Sequence, residues 1–153
     1  MVLLAAFTGL RQSELFGLKW GDIDFAGGFM NVTRSVVYGV VGPCKTESSQ
    51  KPVPLHPLLA ATLVQWQERS TNRKSEDWVF ASRRYRGRKP CWGHAILRRY
   101  IRPAAKNQGI EKRIGWHTFR RQTHATLLRS VGTEFKVKPE LMRHASLRST
   151  LDI

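Results

Sequence analysis

The stretch from residue 28 to residue 55 cannot form an extended helix, and this narrows the fold class more than any other part of the chain. Phe29 to Tyr38 (FMNVTRSVVY) is dominated by β-branched residues, which suit a pleated surface and lose rotamer freedom in a helix. Gly39, Gly42 and Pro43 supply turns, and Lys51 to Leu55 (KPVPL) fits a short edge strand because its prolines cannot donate to a ladder. Lys45 to Gln50 (KTESSQ), between them, is expected to be a hairpin tip. Both flanks change period. Residues 1 to 20 place Leu3, Leu4, Phe7, Leu10, Leu15 and Leu18 at helical spacing, with a break at Thr8-Gly9. Pro57 opens a helix with Leu59, Leu63 and Trp66 on one face.

Trp92 to Gln108 is helical again, with Ile96, Tyr100 and Ala104 as its stripe, a kink expected at Pro103 and an end at Gly109. Trp116 to Val131 is expected to be a helix stopped by Gly132, and Val137 to Arg143 a shorter one. Helices around a small strand block make an α+β fold, and 153 residues leave room for about one domain.

Lys and Arg number 26 against 11 Asp and Glu, a net charge of +15 spread along most of the chain. With 41% hydrophobic and 10% aromatic residues the chain still has a core to bury, so it is no disordered polycation. The balance calls for a polyanionic partner. Nucleic acid is favoured over a membrane, since no long apolar run or basic amphipathic anchor is present. Met1 to Phe7 lacks a basic n-region and reads as the end of a core helix, not as a signal peptide, which places the protein in the cytoplasm.

Cys44 and Cys91 stand far apart and outside any Cys-x-x-Cys pair, so reduced thiols are expected and no zinc site. Asp22 and Asp24 suit a cap and a turn better than a metal, and the histidines show no ligand spacing. No metal or other cofactor is expected.

Phosphate chemistry without a metal needs fixed cations. Arg11 begins a short helix in TGLRQSEL, His117 and Arg120 lie three apart on one helix face, and Lys45 sits at the hairpin tip. Each alone reads as an ordinary solvated charge or core histidine. The basic run RRYRGRK, with Arg83, Arg84, Arg86, Arg88 and Lys89, is a candidate contact to a nucleic-acid backbone; a solvated loop is the plain alternative.

The order of these groups resembles the catalytic domain of the tyrosine recombinases, the phage integrase family. TGLRQSELFGLKWGDIDF is similar to the family's first-arginine box, KTESSQKPVPL to its lysine hairpin, GWHTFRRQTHATLL to its His-x-x-Arg box and LMRHASLRSTLDI to its final histidine box. The resemblance implies a mainly helical domain with a small three-stranded antiparallel sheet, acting on double-stranded DNA. It makes Arg11 and Arg120 the clamp on the scissile phosphate, Lys45 the general acid, and His117 and His144 phosphate or proton-transfer groups. Glu14 would support Arg11. Two guanidiniums suit such a clamp because each is a rigid donor fork that stays charged.

Three departures accompany the resemblance. Counting on from His117 selects Arg120 as the second arginine, whereas counting back from Ala125 selects Arg121; Arg120 is preferred. Arg143 stands where a glycine commonly precedes the last histidine. The family's nucleophilic tyrosine is expected at the position that follows Ile153, so the 153-residue chain is expected to be inactive and cut at both ends, without the N-terminal core-binding domain. What the resemblance implies is therefore a recombinase or integrase catalytic domain that self-associates as a tetramer on DNA at the nucleoid. The alternatives are a catalytically inactive DNA-binding remnant and a basic RNA-binding protein.

Overall fold

The computed structural model describes residues 1–44, 51–112 and 114–120. Helix α1 (Val2–Thr8) stops where Gly9 turns left-handed at φ 62° and donates its N–H to the Ala5 carbonyl at 3.1 Å. A residue without a Cβ adopts that φ at little cost. The single-turn helix α2 (Gln12–Leu15) follows. Leu4, Leu10, Leu15 and Leu18 are buried at the expected positions. Leu3 is exposed instead, because α1 turns Leu4, Ala5 and Thr8 inward and Leu3 lies about 100° away round the helix. Helix also ends earlier than residue 20. Past Leu15 the chain extends, and Leu18 accepts the Val79 N–H at 3.0 Å while the Trp20 N–H reaches the Asp77 carbonyl at 3.1 Å.

The strand block yields β1 (Ile23–Asp24), β2 (Phe29–Met30), β3 (Arg34–Val37), β4 (Val40–Pro43) and β5 (Val53–Pro54). Strands β1, β2 and β5 form a three-stranded antiparallel sheet in that order, pairing Ile23 with Met30 and Met30 with Val53. The run Phe29 to Tyr38 is not one strand. It leaves this sheet after Met30, and β3 pairs only with β4 in a separate hairpin, Arg34 opposite Pro43 and Val37 opposite Val40.

The cause lies at Arg34. Its Nη1 donates to an Asp22 carboxylate oxygen at 2.6 Å and to the Gly17 carbonyl at 3.3 Å, drawing the start of β3 toward the chain that follows α2. Tyr38 and Gly39 turn the hairpin, both with positive φ (50° and 81°), the handedness that matches strand twist in a two-residue loop. Tyr38 is 91% exposed, so it is not the packing residue its neighbours suggest.

Helix α3 (Pro57–Arg69) starts with proline in its first turn, and the His56 side chain accepts the Leu58 N–H at 3.2 Å. Leu59 and Leu63 are buried, while Trp66 lies at the edge with its indole N–H on the Val79 carbonyl at 2.8 Å. Helices α4 (Gly93–Ile96) and α5 (Arg102–Asn107) are joined by a π-helical turn over Leu97–Ile101. Pro103 has no N–H for the Arg99 carbonyl and its ring would crowd it; the widened turn relieves both. The turn also moves the buried stripe to Gly93 and Leu97, with Ile96 and Ile101 partly covered, and leaves Tyr100 65% exposed and Ala104 outside. Gly109 ends α5 as expected, with paired bonds from Ile110 to Ala105 and from Gly109 to Lys106, each 3.0 Å.

The core gathers α1, α2, α3, the three-stranded sheet and residues 79–80 around Leu4, Leu10, Leu15, Leu18, Met30, Val32 and Val79, all of them fully buried. Burying each such side chain stabilises the fold by about 1.5–3 kcal/mol. Cys44 is buried, its Sγ donating to the Val32 carbonyl at 3.3 Å, and Cys91 is partly buried.

Candidate active site

Arg11 is the N-cap of α2 and Glu14 its third residue. Glu14 carries out two tasks at once: one carboxylate oxygen accepts the Arg11 N–H at 2.9 Å and the other accepts Arg11 Nη1 at 2.7 Å. The first closes the helix start, as a glutamate there often does, and the second fixes the guanidinium. Glu14 is 3% exposed, whereas the Arg11 side chain keeps 31% of its surface open, so the carboxylate faces the protein and the cation faces outward.

Arg120 comes to the same place from the other end of the described chain. It is 8% exposed, and its Nε donates to the Gly9 carbonyl at 2.8 Å, two residues before Arg11. The left-handed turn at Gly9 makes that carbonyl available, since it lies past the last helical bond of α1.

What brings Arg120 there is a set of aromatic contacts. Trp116 is buried with its ring edge-on to Phe16 at 5.3 Å and its indole N–H on the Gly93 carbonyl at 2.9 Å. Phe119 packs edge-on to Trp116 at 6.0 Å. Thr118 closes the turn, its N–H on the Gly115 carbonyl at 3.0 Å and its hydroxyl accepting the Gly115 N–H at 3.1 Å. His117 shares this turn with Arg120 and is exposed. Phe16 follows Glu14 by two residues, so one aromatic cluster seats both arginine segments.

Asp22 and Asp24 are occupied as cap and turn. One Asp22 oxygen accepts both the Lys19 N–H at 2.7 Å and Arg34 Nη1, and Asp24 accepts the Gly27 N–H at 2.7 Å. Among the described residues, no three of His, Cys, Asp and Glu gather as metal ligands. Lys45, Arg121 and His144 lie outside the described residues. Arg83, Arg84, Arg86, Arg88 and Lys89 are exposed on a loop.

Sequence reasoning missed the Arg34–Asp22 tie and the Gly9 carbonyl. An arginine opening a β-branched run was the only signal for the first, and the second is a backbone atom with no signature. Chemically, a half-open guanidinium at Arg11 and a second one at Arg120, held on the backbone two residues before it, suit an oxyanion with several acceptor atoms, such as a phosphodiester.

The family described as "Phage integrase family" matches the chain over residues 1–153. The chain is 30% identical over 168 residues to the prophage integrase IntR of Escherichia coli K12, and 33% identical over 150 residues to a tyrosine recombinase of Pseudothermotoga lettingae. These alignments take in 97% and 98% of the chain but 40% and 46% of the relatives, so the chain spans less than half their length. Among solved structures, the Tn1549 transposon integrase in complex with circular intermediate DNA superposes with a TM-score of 0.78 at 22% identity, covering 99% of this chain and 53% of that one. The XerA recombinase superposes with a TM-score of 0.73 at 24% identity, covering 97% of this chain and 48% of that one. At those identities the structural likeness speaks for the fold, an α+β tyrosine recombinase catalytic domain.

Proposed function

The chain belongs to the phage integrase family, and from that premise we propose that it is the phosphate-gripping part of a site-specific DNA recombinase. The observation that supports this is the bond from Arg120 to the Gly9 carbonyl, two residues before Arg11 in the chain. Arg11 and Arg120 hold the non-bridging oxygens of the scissile phosphate and offset the charge that grows on them during attack. His117 donates to the phosphate from the same rim, and His144 joins it from the final box. The attacking oxygen belongs to a tyrosine about ten residues past His144, as the family pattern places it. That oxygen passes its proton to the His144 imidazole and bonds to phosphorus as the bond to the 5′ oxygen breaks, and Lys45 gives the leaving oxygen its proton. The product is a 3′-phosphotyrosine, and the reverse step rejoins a strand. Because the covalent link keeps the phosphodiester energy, the proposal calls for neither nucleotide nor metal.

The partner is double-stranded DNA, on which copies of the protein assemble as a tetramer; the nucleoid is then its place in the cell. DNA binding draws support from relatives whose solved complexes hold DNA, including XerH bound to a palindromic difH substrate. The test compares three polypeptides on a suicide DNA substrate: residues 1–153, the same chain extended by a segment beginning with Tyr, and the extended chain with Arg11→Ala. We expect a denaturant-resistant protein–DNA band from the extended chain only, reduced by about 10²–10³-fold without Arg11. An adduct from residues 1–153 alone, or one undiminished by Arg11→Ala, overturns the mechanism.

A further inference from the structure

The basic run from Arg83 to Lys89 is held in one shape. The Ser82 N–H donates to the Lys89 carbonyl at 2.8 Å, the Gly87 N–H to the Ser82 carbonyl at 3.0 Å and the Arg88 N–H to the Tyr85 carbonyl at 3.0 Å. Ala81 and Pro90 bridge the root of the loop, and the Trp78 indole N–H donates to the Arg88 carbonyl at 3.4 Å. Arg86 is left-handed at φ 49°, a conformation a side chain disfavours unless its surroundings impose it. Gly87, at φ 80°, sits so close to Asn72 that a Cβ there would lie 2.1 Å from the amide nitrogen, and the Asn72 carbonyl is itself bound by the Trp20 indole at 2.9 Å.

Five cations stand on this loop, all exposed. Neither ion pair found among the described residues involves any of them. The Tyr85 ring spaces two, with Lys89 Nζ at 5.1 Å and the Arg84 guanidinium at 5.8 Å from its centre. Like charges confined this way repel, and a flexible loop would spread them. Holding them without counter-charge is unfavourable in the free protein and favourable only against a polyanion, which a pre-shaped loop binds with little ordering cost.

The root of the loop also leads to the arginine pair. Cys91 donates its N–H to the Phe80 carbonyl at 2.7 Å, Phe80 packs edge-on to Phe16 at 5.9 Å, and Gly93 holds the Trp116 indole. The loop is thus tied to the core that seats Arg11 and Arg120.

We propose that Ser82–Pro90 is a pre-shaped clamp for consecutive phosphates of one strand of duplex DNA, a second grip away from the scissile phosphate. This rests on the DNA reading above. It commits the loop to the phosphate backbone, with shape as well as charge doing the binding.

The test uses the 153-residue chain and a labelled 30-base-pair duplex, with affinity followed by fluorescence anisotropy across a salt series. Arg84→Gln with Lys89→Gln removes two exposed charges; Lys106→Gln with Lys112→Gln removes two exposed charges outside the loop and the Asn72 segment against it. Gly87→Ala changes loop shape and no charge. We expect the loop pair to flatten the slope of log affinity against log salt by about 1.8, at about 0.9 for each phosphate no longer neutralised, the control pair to leave it in place, and Gly87→Ala to weaken binding several-fold. A loop pair that behaves as the control overturns the clamp and leaves the DNA reading standing. Absence of any salt-dependent duplex binding by the parent chain overturns that reading itself. Tighter binding of an RNA duplex of equal length, abolished by the same loop pair, reassigns the loop to RNA and overturns the proposal.

Discussion

Arg120 donates to the backbone carbonyl of Gly9 across 111 positions of sequence, and this bond ties the segment that carries His117 to the segment that carries Arg11, alongside the packing of Trp116 on Phe16. The bond is buried and charge-assisted, so it stabilises more than an exposed arginine contact would.

Arg120→Ala removes the donor and leaves the Gly9 carbonyl unsatisfied in a buried place. We expect a loss of about 1–3 kcal/mol in urea unfolding. Arg120→Lys keeps the charge without the planar fork and should recover only part of that loss, together with weaker duplex binding.

Glu14→Ala takes away both the acceptor for the Arg11 N–H and the anchor for its guanidinium, while Glu14→Gln keeps an acceptor oxygen for only one of the two, turns an NH2 donor toward the other and carries no charge. The expected order of stability is parent, Gln, Ala, with Ala lower by about 1–3 kcal/mol. Equal losses for the two variants in chemical denaturation would show that the carboxylate oxygens carry none of the bonding.

Much of the arginine box is legible in the sequence because it is local. A residue that caps a helix and a glutamate three positions on make a short-range pattern, and TGLRQSEL shows it without reference to the rest of the chain. Arg120 is different. Counting on from His117 selects Arg120 and counting back from Ala125 selects Arg121, and the bond that holds Arg120 ends on a main-chain oxygen that no side-chain pattern marks. The strand block fails for a related reason: residues 29 to 38 have the right β-branched composition throughout, yet the break after Met30 is set by Arg34 reaching Asp22 and Gly17, contacts over 12 and 17 positions. At Tyr100 and Ala104 the expected period assumes a regular α-helix, which the π turn before Pro103 interrupts.

Gly93→Ala tests the aromatic seat. A Cβ at that position would lie 2.3 Å from the Phe16 ring and 2.8 Å from the Gln12 amide, so α4 must move away from α2. We expect about 1–3 kcal/mol of destabilisation, and loss of near-ultraviolet circular dichroism from Trp116 before loss of helix signal.

Cys91 supplies a pH dependence. Partial burial pushes its thiol pKa up, with Sγ 3.3 Å from the Ala81 carbonyl as a donor. The fold therefore favours the protonated form; its contribution is complete below the free thiol value of about 8.5 and is lost as pH rises through the higher folded value. Alkylation of Cys91 at pH 8 should lag a free thiol, and the parent should lose stability relative to Cys91→Ser above about pH 8.5. A Cys91 that reacts as fast as glutathione would contradict this.

The partner that Arg120 chooses at Gly9 is a peptide oxygen, so what Arg120 needs from residue 9 is the handedness of its backbone. A D-alanine introduced there by peptide ligation would present the same oxygen to Arg120, whereas its mirror image, ordinary L-alanine, would resist the left-handed φ of 62° and swing the oxygen away. The hold of Arg120 on residue 9 thus depends on chirality, a property that changes of side-chain charge, size or polarity elsewhere in the first box leave untouched.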